Sequence, residues 1–275
     1  RKYSFDTYGA GRSTIVTLKN SFHGRTMETL TATGQDELHQ YFDPFPPGFR
    51  YAAANDPDAL KATIDETVCA VMMEPVQGEG GVQPLDADFV HKASELCREK
   101  DILLIFDEVQ TGVGRTGKLY AWEHFGVRPD ILTSAKGLGG GLPVGACLCV
   151  ERLGAVMGPG THGSTFGGNP IVCAGGCEVL SRMEEPLFQQ VRQRGAFLRD
   201  TLSKCDEIVE IRGMGLMLGL VLQTKQAKAV AARCVERGLL VLTAKTLVRL
   251  LPPLTISQEE LEQGIAILKE VLTEK

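Results

Sequence analysis

No stretch of this sequence approaches the roughly 20 consecutive apolar residues that a membrane-spanning helix needs, and no secretory leader is visible at its start. Basic residues are not in excess either: 29 Lys and Arg stand against 34 Asp and Glu, a formal net charge of −5. An electrostatic case for nucleic acid or an anionic membrane surface is therefore missing. The eight cysteines contain no Cys-x-x-Cys pair, which argues against a zinc site. They are scattered through apparent strands and helices, as buried thiols in a reducing compartment would be, so the cytoplasm is the expected location. Repeats and low-complexity tracts are absent. No Ser/Thr- or glycine-rich turn of the kind that grips a phosphate precedes the first strand. Arg1-Lys-Tyr-Ser-Phe5 reads as the tail of a helix, and an N-terminally truncated chain is expected.

What is there points to one large α/β core with a satellite. The chain has 275 residues, 43% apolar and 23% charged, an ordinary composition and a sufficient length. Apolar runs alternate with amphipathic stretches, the pattern of βαβ units around a mostly parallel sheet. Strands are predicted over 14–18, 68–73, 102–106, 131–133 and 144–150. Helices are predicted over 58–65 behind Pro57, from Asp86 or Asp88 to Lys100, and after Asn169-Pro170. The C-terminal piece has a different texture, with a hairpin of 208–211 and 216–222 and a helix over 225–237. Strands over 239–242 and 247–251 follow, then a last helix opened by the capping box of Ser257 and Glu260. The expected domains are 1–184, α/β, and 185–275, α+β.

Two segments carry chemistry. Ile102-Leu-Leu-Ile-Phe106 runs into Asp107-Glu108, and Asp130-Ile-Leu-Thr-Ser-Ala135 runs into Lys136, which a run of glycines follows. Singly, such residues are more often a turn or cap aspartate and a solvated lysine. Together, a carboxylate and an amine leaving two buried strands suit pyridoxal phosphate. The lysine forms a Schiff base with the aldehyde, and the aspartate keeps the pyridine nitrogen protonated.

Gly112-Val-Gly-Arg-Thr-Gly117 also satisfies the dinucleotide fingerprint, and with Lys118-Leu119 it nearly satisfies the P-loop. Both fail on physical grounds. Asp107–Thr111 separates the first glycine from its strand, where a Rossmann turn follows directly. Leu119 stands where a P-loop needs a hydroxyl for magnesium. A dinucleotide-dependent oxidoreductase is the distant alternative.

The segments 103–118 and 130–146 resemble those of class III pyridoxal-phosphate aminotransferases, most closely the members that act on acetylornithine. Phe22-His-Gly-Arg-Thr26, Glu74-Pro-Val-Gln-Gly-Glu-Gly-Gly81, His162-Gly-Ser-Thr-Phe-Gly-Gly-Asn-Pro170 and Arg249-Leu-Leu-Pro-Pro253 match in the same order. The family's opening segment, with its phosphate-gripping turn, is not found. The resemblance implies fold type I, with a mostly parallel, seven-stranded-type sheet and a small C-terminal domain.

It also implies roles. Lys136 would carry pyridoxal 5'-phosphate and move the proton, and Asp107 would hold the pyridinium. Phe22 and Val109 would pack on the two ring faces, with His23 beside them and Gln110 on the phenolic oxygen. Thr165 would reach the phosphate of a neighbouring subunit, making a homodimer the active unit. Arg25 and Ser164 would bind substrate, Arg25 by clamping a carboxylate, while Arg249 and Glu79 would form a switchable pair. The implied reaction moves the terminal amine of N-acetylornithine to 2-oxoglutarate, in arginine biosynthesis. Ornithine, succinylornithine or 4-aminobutyrate as donor, or an inactive fragment, are the alternatives.

Overall fold

Val68–Met73 contains no charged or hydrogen-bonding side chain, and five of its six residues are buried. Such a run is stable only between two covering layers. The computed structural model, which describes residues 1–274, places it in the middle of a six-stranded sheet. The strands are β1 (Thr14–Leu18), β2 (Phe49–Ala52), β3 (Val68–Met73), β6 (Leu103–Asp107), β7 (Ile131–Ser134) and β8 (Ala146–Cys149). Between β3 and β6 in sequence lies a short antiparallel ribbon of β4 (Val76–Gln77) and β5 (Gln83–Pro84). The large sheet runs β2-β1-β3-β6-β7-β8. Its pairings are parallel except for β7 with β8. The sheet is thus mostly parallel as expected, with six strands among the described residues rather than seven.

The helix Ala87–Glu99 covers one face. Its buried residues Phe89, Val90, Ala93, Leu96 and Cys97 recur every three or four positions and pack on Val71, Met73, Leu104 and Phe106. Fully burying a side chain such as Phe89 contributes about 1.5–3 kcal/mol. On the other face Cys69, Ala70 and Leu103 pack with Leu153 and the partly buried Tyr3.

The C-terminal piece is a second, antiparallel sheet in the order β11-β12-β10-β9. Its strands are β9 (Ile208–Met214), β10 (Met217–Leu222), β11 (Leu242–Ala244) and β12 (Leu247–Leu250). Helices Glu185–Leu202, Ala227–Glu236 and Gln258–Thr273 contribute to its core through Val191, Leu198, Val230, Leu261, Ile265 and Leu268. The last of them starts with the anticipated capping box of Ser257 and Glu260. We propose 184/185 as the domain boundary, since every residue of this second core lies beyond it.

Four local expectations needed correction. β9 extends to Met214, so the hairpin turn is tighter than Arg212–Gly215. β8 is four residues rather than seven. The apolar run 239–241 makes no ladder, because Leu239 and Val241 pack on the second core instead, and β11 begins at Leu242. β2 was not anticipated: Phe-Arg-Tyr-Ala is short and only its last residue is buried, as befits an edge strand.

Candidate active site

Because β1, β3, β6 and β7 run in one direction, the segments leaving their C-terminal ends share one edge of the sheet, where ligands of such sheets bind. Four segments leave that edge with reactive side chains. Phe22 and His23 follow β1, Glu74 follows β3, Asp107 ends β6, and Lys136 stands two residues beyond β7.

Asp107 is held on three sides. Its Oδ1 accepts from the Val109 amide at 3.1 Å and from Thr133 Oγ1 at 3.0 Å. Its Oδ2 lies 2.8 Å from His23 Nδ1, and the side chains are 8% and 0% exposed respectively. Lys136 opens a short 3-10 turn with φ of 47°, a left-handed conformation that is uncommon for a lysine. Its side chain is open to the cavity. Surrounding protein nevertheless lowers its amine pKa, and Arg249 adds to that effect, against the raising influence of Glu79, Glu74 and Asp107. A larger neutral fraction is what a nucleophilic amine needs.

Glu79 and Arg249 meet at 2.6 Å, with Arg249 only 7% exposed. Burial by itself would raise the Glu79 carboxyl, but the hydrogen bond and charge of Arg249 outweigh it, and the net shift is downward. Gln110 Nε2 donates to the same Glu79 oxygen at 3.3 Å. The packing here leaves no room at Gly78, where a Cβ would sit 1.7 Å from Gln110 Oε1. Glu79, Val109, Gln110, Lys136 and Arg249 line one cavity of about 510 Å³, together with Arg115, Val113, Met183 and Leu254. That volume is typical of small-ligand sites.

Phe22 is partly buried, and the Arg25 guanidinium lies 5.5 Å from its ring centroid. Arg25, Ser164 and Thr165 are exposed and do not line this cavity. His23 faces Asp107. Two contributors escaped the sequence reading. Thr133 supports Asp107 from the neighbouring strand, and the buried Glu74 accepts from the Phe22 amide at 2.8 Å. Burial, then the charge of Asp107, raises the Glu74 carboxyl well above its ordinary value. Its sequence signal was an acid closing an apolar strand.

The glycine motif at 112–117 forms turns, and the next helix, the single turn Trp122–Phe125, starts five residues beyond it. Gly112 packs against Tyr120 and the Glu108 carbonyl, and Gly117 against Arg192. Among the described residues no helix N-terminus directly follows these glycines to meet a pyrophosphate, which removes the dinucleotide alternative.

An amine and a hydrogen-bonded carboxylate at adjacent strand ends suit a lysine Schiff-base enzyme. The comparisons with known proteins make the class specific: the model of the class-III aminotransferases matches residues 1–272. The chain belongs to the class-III aminotransferase family and is a pyridoxal-phosphate-dependent transaminase. It is 48% identical to an acetylornithine aminotransferase of Haemophilus ducreyi, over 100% of this chain and 70% of the relative. It is 50% identical to a succinylornithine transaminase of Salmonella paratyphi A, over 96% of this chain and 67% of that protein. Among solved structures it resembles the ornithine aminotransferase of Toxoplasma gondii, with a TM-score of 0.92 and 35% identity, covering 98% of this chain and 68% of that one.

The residues fit the coenzyme of this family. Asp107 has accepting capacity left on Oδ2, and Lys136 makes no side-chain hydrogen bond or ion pair among the described residues.

Proposed function

We propose that this chain moves the terminal amino group of N-acetylornithine to 2-oxoglutarate, giving N-acetylglutamate semialdehyde and glutamate, in the cytoplasm as a step of arginine biosynthesis. The observation that carries this reading is the closed Glu79–Arg249 pair on the wall of the cavity that also holds Lys136. A donor reacting through its terminal amine presents no carboxylate next to the reacting carbon, so Arg249 can stay masked. Glutamate and 2-oxoglutarate present one there, and an opened Arg249 can take it with two parallel hydrogen bonds. Arg25, stacked on Phe22 at the loop surface, would hold the carboxylate at the other end of either substrate.

When bound, pyridoxal phosphate supplies an aldehyde that condenses with amines and a ring that accepts the electron pair released at the substrate carbon. Asp107 would hold the proton on the ring nitrogen. Phe22 and Val109 would flank the ring and Gln110 would donate to its phenolic oxygen. Lys136 would hold the aldehyde at rest and, once released, take the proton from the substrate carbon.

A second copy of the chain is part of this reading. Leu148, Phe166, Ile171 and Leu180 are 42–84% exposed on one stretch of chain that also carries Ser164 and Thr165. Exposed apolar residues in such number support a surface that another molecule covers. A homodimer would bury them and bring Thr165 to the neighbouring subunit's coenzyme phosphate, with Ser164 toward its substrate.

The likeness to succinylornithine transaminases makes that larger acyl donor the second reading. Initial rates with N-acetylornithine, N-succinylornithine, ornithine and 4-aminobutyrate, each with 2-oxoglutarate, separate the possibilities. N-acetylornithine is expected to give the highest kcat/KM. A preference for free ornithine or 4-aminobutyrate would overturn the assignment.

A further inference from the structure

His23 is the one imidazole that touches Asp107, and its own surroundings define how it does so. The ring is fully buried, with Nδ1 2.8 Å from Asp107 Oδ2. Nε2 is buried with no hydrogen-bond partner among the described residues. A proton on Nε2 would be a buried donor without a partner, which is unfavourable, and more so when the ring is charged. Nδ1 faces a carboxylate oxygen and must carry a proton to bond with it. Both conditions are met by one form only, the neutral imidazole with hydrogen on Nδ1.

The same count applies to Asp107. A carboxylate offers about four lone-pair positions. Val109 and Thr133 use Oδ1 and His23 uses one position on Oδ2. One position remains, on Oδ2. We propose that His23 is a positioning residue that, as a neutral Nδ1–H donor, fixes the Asp107 carboxylate so that a single lone pair on Oδ2 is left free, which would accept from the coenzyme's ring nitrogen. This goes beyond the reading of the cavity as a transaminase site, and rests on it.

The backbone holds the ring in this role. The His23 amide donates to Thr33 Oγ1 at 2.9 Å, and the preceding Phe22 amide donates to Glu74 at 2.8 Å. The following Gly24 has φ of 137°, and a Cβ there would lie 2.4 Å from Thr29 Oγ1, so the loop passes where only glycine fits. Phe22 and His23 are thereby tied to the ends of β3 and β6 at once. A neutral donor steadies the aspartate without cancelling its charge, which then remains available to the pyridinium.

Two measurements test this. The first is coenzyme affinity, by absorbance titration of the coenzyme-free protein. His23→Leu keeps the bulk and removes the donor, whereas His23→Asn carries an amide N–H in place of Nδ1–H. Loss of a hydrogen bond to a charged group is expected to weaken affinity about ten- to a hundredfold in His23→Leu and to diminish the long-wavelength absorbance of the bound coenzyme. His23→Asn is expected to recover most of both, which a packing role would not produce. The second is the ¹⁵N spectrum of histidine-labelled wild-type protein, expected to show His23 with Nδ1 protonated and Nε2 bare. His23→Leu binding as tightly as the wild type, or an imidazolium or Nε2–H signal for His23, would overturn the proposal. A wild-type protein that takes up no coenzyme would instead count against the transaminase reading, and the tautomer would still decide the role of His23.

Discussion

Replacing Glu79 by alanine removes the group that masks Arg249 and leaves the rest of the cavity wall in place. The magnitude follows from the setting of the pair. Stranding a wholly buried charge costs about 3–5 kcal/mol, but Glu79 is 34% exposed, so solvent screens the interaction. About 1–2 kcal/mol is a reasonable worth for the closed pair, equivalent to roughly five- to thirtyfold in an equilibrium. In Glu79→Ala that barrier to Arg249 is absent. Glutamate, which needs the arginine, should gain by this factor relative to N-acetylornithine, which does not. The assay is single-turnover: each donor is mixed with the coenzyme-loaded protein and the absorbance change is followed, giving kcat/KM for each half-reaction. The ratio of the two values is the readout, since a general loss of stability or coenzyme lowers both alike. A ratio within twofold of the wild type would refute the masking argument.

Two further outcomes are expected. The Lys136 amine pKa is lowered mainly by desolvation against the surrounding protein, so the neutral amine appears at lower pH than for a free lysine. The rate of coenzyme capture should therefore rise with pH and level off below the ordinary lysine range. A rate still climbing through that range in stopped-flow measurements would contradict the shift. Gly78→Ala forces Gln110 and the Met217 methyl aside. Both are flexible side-chain ends, so thermal unfolding should show a loss of about 1–3 kcal/mol at most. Activity should fall further than stability, and an unchanged kcat would show that the position of Gln110 does not matter.

Much of this architecture could be read from one sequence because its signals are local. An apolar run that stops at an acid, as at Phe106-Asp107, marks both a buried strand and the edge at which it emerges. Ser257 and Glu260 sit three residues apart and satisfy each other within one turn. The glycines after Lys136 likewise mark a chain turning sharply beyond its strand. Signals spread along the chain were harder to see. His23 and Asp107 are 84 residues apart, and nothing near either one indicates that the histidine faces the carboxylate. Edge strand β2 carries Arg50 and Tyr51, whose partners Thr63, Thr67 and Thr31 come from other segments. Strand β8 is apolar throughout and so reads as core in the sequence, although all four of its residues are exposed.

The central claim is that Lys136 is the amine that holds the coenzyme opposite Asp107. Incubating the protein with pyridoxal phosphate, reducing with borohydride and mapping the modified peptide by mass spectrometry tests it directly. A single stoichiometric label on Lys136, absent from Lys136→Ala, is the expected result. A label on another lysine, or none at all, would contradict it.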